Sequence, residues 1–106
     1  MDVPAPFSFS DAARLLAGEA RRHGLVAPAF RSPPRLHGAR RTIRRFADGT
    51  CMVSVRVRDR EVADVIADLV EGVLVANGLA GQAAEGWRIA LRSALAAHAG
   101  LHAQAA

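Results

Sequence analysis

Apolar positions at Phe9, Ala12, Leu15, Leu16 and Ala20 recur at the three- and four-residue spacing of an amphipathic helix. Ser8 and Asp11 stand at the capping-box spacing ahead of this run. Arg21, Arg22 and His23 put positive charge at its far end, and Gly24 can take the left-handed conformation that stops it. A helix over residues 10–23 is predicted. Residues 25–38, LVAPAFRSPPRLHG, carry three prolines and no period, and read as an extended connector.

Alternation then replaces helical spacing. "FADGT", residues 46–50, suits a three-residue hairpin loop in which Ala47 and Asp48 form a type I turn and Gly49 closes it with positive φ. That loop pairs Phe46 with Thr50 and so sets the register: Ile43 meets Val53 and Arg41 meets Val55 on one face, with Cys51 and Val57 alongside. On the other face it pairs Arg44 with Met52, Thr42 with Ser54 and Arg40 with Arg56, with Arg58 beyond. A two-residue loop, Asp48 and Gly49, would shift the register by one and oppose Arg41 to Arg56.

Asp59 stands where a cap would open a second helix, with Glu61 in its first turn. From Glu61 to Ala76 the acids fall at 61, 64, 68 and 71 and form one narrow stripe. Val62, Val65, Ile66, Leu69, Val70, Val73 and Leu74 wrap much further round than the stripe of about 100° that a surface helix buries. "NGLAG", residues 77–81, ends this helix, and Trp87, Leu91, Ala94 and Leu95 mark a third from Gln82 to Ala99. The expected architecture is a small α+β domain in the order α-β-β-α-α. Residues 1–106 form a single unit with flexible ends at 1–8 and 100–106.

A chain of 106 residues supports one core. Aromatic side chains are four Phe and one Trp, so that core is built from small and branched aliphatics. All 14 cations are arginine, a bias expected of a high-GC bacterial genome, so a single arginine carries less functional information than usual. Charge nonetheless divides sharply, because residues 1–60 hold twelve Arg against five acids and residues 61–106 hold two against five. Such asymmetry suits either a basic surface that meets an anion or two surfaces that neutralise each other. Cys51 is the one cysteine and faces the aliphatic side of the hairpin, which excludes an intrachain disulfide and fits a reducing cytoplasm. "MDVPAPFSFSD" lacks the basic start and apolar stretch of a secretion signal, so the mature chain is expected to begin there. Residues 62–81 are apolar enough to suggest a membrane segment. Asp64, Asp68 and Glu71 within them argue against it, since each carboxylate near a bilayer centre costs about 3 kcal/mol.

No phosphate loop, dinucleotide fingerprint or nucleophile elbow occurs, so no catalytic residue, cofactor or metal is assigned and the chain is read as non-enzymatic. The acidic stripe reads as a wet face, with Arg60 in reach of Asp64 and arginines of a partner chain in reach of the rest. His98 and His102 read as solvated, and Trp87 as a core anchor. A lone hairpin has open edges, and the second helix has more apolar surface than the chain's other elements easily cover. A homodimer or a stable complex with another protein is therefore the leading expectation. Its interface would be Val62, Val65, Ile66, Leu69, Val70, Val73 and Leu74, with the sheet completed across the dimer.

The alternative is nucleic-acid or other anion binding by Arg40, Arg44, Arg56 and Arg58, with Arg31, Arg35, Arg41 and Arg45 near them. "VSVRVRDREVADVIADLVEG", with the Gly-containing turn and further helix after it, resembles the ribbon-helix-helix family of DNA-binding proteins over about residues 52–97. That resemblance implies base reading by strand side chains, here Ser54, Arg56 and Arg58.

Overall fold

The computed structural model describes residues 8–33 and 38–105, with side chains to Ala97. The elements are α1 (Phe9–Arg22), β1 (Ala29–Arg31), β2 (Arg41–Arg45), β3 (Cys51–Val55), α2 (Val62–Ala76) and α3 (Gly81–Ala105). The α+β order expected of the sequence is present, with one strand added.

That strand lies in the connector. Ala29, Phe30 and Arg31 run parallel to β3 in register with Met52, Val53 and Ser54, giving a three-stranded sheet of order β1-β3-β2. Three residues are too few to display a period, and prolines at 28 and 33 bracket them. Proline is tolerated there because an edge strand leaves one side of its backbone unpaired. The hairpin register is the three-residue-loop one: Arg41 opposes Val55, Ile43 opposes Val53 and Arg44 opposes Met52. Phe46 N–H donates to Thr50 O at 2.9 Å, Gly49 N–H donates to Phe46 O at 3.0 Å, and Gly49 has φ +88°.

Ser8 caps α1, its Oγ accepting from Asp11 N–H at 3.0 Å. Both α1 and α2 end on a left-handed glycine, Gly24 and Gly78. The next residue's N–H closes back on the helix in each case, Leu25 to Ala20 O at 2.8 Å and Leu79 to Leu74 O at 2.9 Å. Asp59 does not cap α2. It sits in a turn with φ +59°, and Glu61 occupies the cap position without a side-chain cap bond. Aspartate tolerates this left-handed geometry, and the turn sends Arg60 back across the start of the helix. Helix α3 also runs past Ala99 to Ala105. The cost of a mid-helix Gly100, about 1 kcal/mol, is offset by alanines on either side.

Helix α2 is the centre of the packing. It lies against β2 and β3 and also meets α1 and α3. Val65, Leu69, Val70, Val73 and Leu74 are all buried, together with Cys51, Val53 and Val55 of β3, Ala12, Leu16 and Ala20 of α1, and Ala84, Leu91 and Leu95 of α3. Trp87 packs against this core and meets the His23 ring edge-on, centroids 5.3 Å apart. The wide apolar girth of α2 thus has cover on several sides within a single chain. The open edge of β3 is taken by β1, which leaves β1 and β2 as the edge strands of the sheet.

Candidate functional site

Strand alternation sorts the hairpin arginines by parity. Arg41 and Arg45 of β2 share the face of Ile43, Val53 and Val55 and point toward α2. Arg41 Nη1 lies 3.6 Å from Asp68 Oδ1. Arg45 Nη2 donates to Val75 O at 2.7 Å, and its Nη1 to Ala76 O at 3.4 Å. The last turn of α2 contains no cation of its own, so Arg45 supplies from the sheet the positive charge that its carbonyls favour.

Arg60 is committed in the same way. Its Nη2 lies 2.5 Å from Asp68 Oδ2 and its Nη1 donates to Arg56 O at 2.8 Å. It reaches Asp64 at the backbone carbonyl, at 3.4 Å, and not at the carboxylate expected from the i, i+4 spacing. Arg88 of α3 holds Glu71 and Glu85. Its hydrogen bond keeps the Glu71 carboxyl below the usual carboxylate range, although burial pushes the other way. Two acids of the expected wet stripe, Asp68 and Glu71, are therefore paired within the chain.

The even-numbered positions face away from the helices, and the register makes rows of them. Arg40 lies beside Arg56, whose N–H donates to Arg40 O at 3.0 Å. Thr42, Ser54 and Arg31 form the next row, and Arg44, Met52 and Ala29 the third, followed by Phe46. Rows stand about 6.8 Å apart along the strands and neighbours about 4.8 Å apart across them. Arg31, Arg40 and Arg44 are exposed and Arg56 half-buried. Within the described residues none of these four is in an ion pair. Arg58, also expected on this face, lies past the end of β3 and is 4.0 Å from Asp59, both almost fully exposed.

Connector residue Arg31 belongs to the face because β1 joins the sheet. The sequence places Arg31 near the hairpin arginines, as it does Arg35, which lies outside the described residues; the strand that sets Arg31 in a row of the face has no local signal. Arg44 also lies over the Phe46 ring, 5.3 Å from its centroid, a contact the i, i+2 spacing on one strand face permits. At the Arg40–Arg56 end of the sheet an open concavity is lined by Arg40, Arg56, Asp59, Arg60, Glu61 and Asp64. Three guanidiniums there meet three carboxylates, so it lacks the charge excess of the sheet face.

Of the seven residues expected to form a partner interface, Val65, Leu69, Val70, Val73 and Leu74 are core residues. Ile66 is half-buried and Val62 is 50% exposed. The sheet and the two other helices cover five members of this set within the chain. The strand that carries the ribbon-helix-helix resemblance, β3, is the middle strand, with both edges paired to β1 and β2. Among the described residues no three His, Cys, Asp or Glu side chains gather to hold a metal ion, and no helix is long and apolar enough to cross a membrane. The side chains of His98 and His102 lie outside the described residues. No family model, curated protein or solved structure matches the chain.

Proposed function

We propose that the chain binds nucleic acid through the outer face of its sheet, where Arg31, Arg40, Arg44 and Arg56 neutralise backbone phosphates and Thr42 and Ser54 donate hydroxyl hydrogen bonds to them. The carrying observation is the division of the arginines. Arg41, Arg45, Arg60 and Arg88 are spent on carboxylates or carbonyls of the same chain, whereas the outward four are without an acidic partner among the described residues. Guanidinium forks and hydroxyls are the donors that phosphate oxygens take. The act is binding, with no covalent step. A homodimer or protein-interaction module is the second reading. It has weaker support, since the sheet and the two other helices already bury five of the seven residues expected at its interface.

Fluorescence anisotropy over a series of salt concentrations tests the proposal. Four phosphate contacts give a slope of log K against log salt of about −3.6 on duplex and about −2.8 on a single strand. Arg44→Ala and Arg56→Ala each make that slope shallower by about one contact's worth, about 0.9 or 0.7. Failure to bind either form, or a slope both variants leave unchanged, overturns the reading.

A further inference from the structure

We propose, resting on the nucleic-acid reading, that Arg44 and Phe46 form a stacking ledge for an unpaired base, which makes a single strand the preferred ligand over duplex. Phe46 is the aromatic residue on the arginine face, and phosphate binding does not use it. It takes no part in the hydrophobic core and is 38% exposed, beside the Arg44 guanidinium. The hairpin fixes its backbone from both sides, with Phe46 N–H donating to Thr50 O and Phe46 O accepting from Gly49 N–H.

The guanidinium of Arg44 lies over the ring, 5.3 Å from its centroid, so a guanidinium and an aromatic ring stand together at the hairpin end of the face. Bases stack on aromatic rings and on guanidinium planes when they are free of a duplex. One anion stands near this end, Asp48, and it is turned to Thr50, accepting from its hydroxyl at 2.6 Å and its N–H at 2.9 Å. A strand laid along β2 would then meet guanidiniums at Arg40 and Arg56, hydroxyls at Thr42 and Ser54, and the ledge at Arg44 and Phe46. Duplex bases are already stacked and cannot use the ring, so a duplex is left with the hydroxyls and the guanidiniums, that of Arg44 included.

The test measures anisotropy with a short mixed-sequence single strand and with the same strand in duplex, for the full chain and four variants. Phe46→Ala is expected to weaken single-strand binding by about five- to a hundredfold and leave duplex binding unchanged. Phe46→Trp retains the preference, Phe46→Leu loses it while keeping apolar bulk, and Arg56→Ala weakens both forms. Equal effects of Phe46→Ala on the two forms, or wild-type behaviour of Phe46→Leu, overturn the ledge. The phosphate reading survives that result as long as Arg56→Ala still weakens binding. Absence of binding by either nucleic acid overturns both.

Discussion

Asn77 grips Val26 across 51 positions of sequence: its Oδ1 accepts from Val26 N–H at 2.8 Å and its Nδ2 donates to Val26 O at 2.9 Å. The carboxamide thus pairs with one peptide as a neighbouring strand would, while a further bond from Nδ2 to Val73 O at 2.8 Å ties it to its own helix. The end of α2 and the approach to β1 are thereby joined. This explains why Asn and not another helix-ending residue precedes Gly78. Replacing Asn77 with Ala is expected to lower stability by about 2 kcal/mol, at about 1 kcal/mol for each bond that water does not fully replace. Urea unfolding should show the midpoint falling with the slope unchanged. Asn77→Asp retains the acceptor and loses both donors, and should cost no less.

Gly72 lies where α2 crosses β3 most closely. A Cβ built on it would stand 2.6 Å from Val53 Cγ1, closer than carbon atoms tolerate, and Val53 is fully buried in the middle of the central strand. Gly72→Ala therefore sets a helix-propensity gain of about 1 kcal/mol against an overpacking cost of about 1–3 kcal/mol. The expected sign is destabilising. Val53→Ala removes the clashing methyls, so the double variant should be more stable than the sum of the two single changes predicts. Thermal unfolding of all four proteins measures that coupling, and simple additivity would mean that α2 can move away from the sheet freely.

The hairpin was readable to the residue because two independent signals agreed: the turn chemistry of Asp48 and Gly49, and the alternation that puts Cys51, Val53 and Val55 on one face. The same alternation held the rule that separates Arg41 from Arg40 and Arg44. Where the inward arginines end depends on which helix lies over the strand, a tertiary fact with no local signature. The aliphatic girth of α2 was visible, but its cover was not, because a three-residue strand flanked by prolines does not look like a strand. Asp59 misled for a related reason. A residue that caps well also tolerates a left-handed turn, and the choice fell to where Arg60 could reach.

Asp68 lies between Arg60, 6% exposed, and Arg41, and is itself 18% exposed. The close approach of Arg60 Nη2 to Asp68 Oδ2 is an ion pair without an aligned N–H, since that oxygen has no hydrogen-bond donor among the described residues. Removing the carboxylate leaves a nearly buried guanidinium held by the Arg56 and Asp64 carbonyls alone among its hydrogen-bond partners. Asp68→Ala is expected to cost about 3 kcal/mol, the lower end for breaking such a pair, and the loss should change little with salt. The paired replacement Arg60→Met with Asp68→Leu should recover most of it, because apolar groups of similar size need no solvation. Chemical denaturation of the single and double variants distinguishes this from a structural role of Asp68 alone.

The Glu71–Arg88 contact joins α2 to α3, and it should give the fold a specific acid sensitivity. The hydrogen bond from Arg88 lowers the Glu71 pKa, burial opposes this, and the charges of Arg88, Arg41 and Arg92 add to the lowering from the ordinary value of 4.5. A carboxyl depressed on folding binds its proton more weakly in the folded chain than in the unfolded one. Its stabilisation is therefore complete above 4.5, the unfolded value, and disappears as pH falls through the lower folded value. Glu71→Gln cannot titrate and keeps nearly the same shape. At neutral pH it should unfold at lower temperature than the native chain, and the gap should close as pH falls through the carboxylate range. Glu85→Gln removes the exposed partner of the same arginine and should have a smaller effect at every pH. A gap for Glu71→Gln that stays constant down to acid pH would mean that the contact acts by packing alone and that the carboxylate charge contributes nothing.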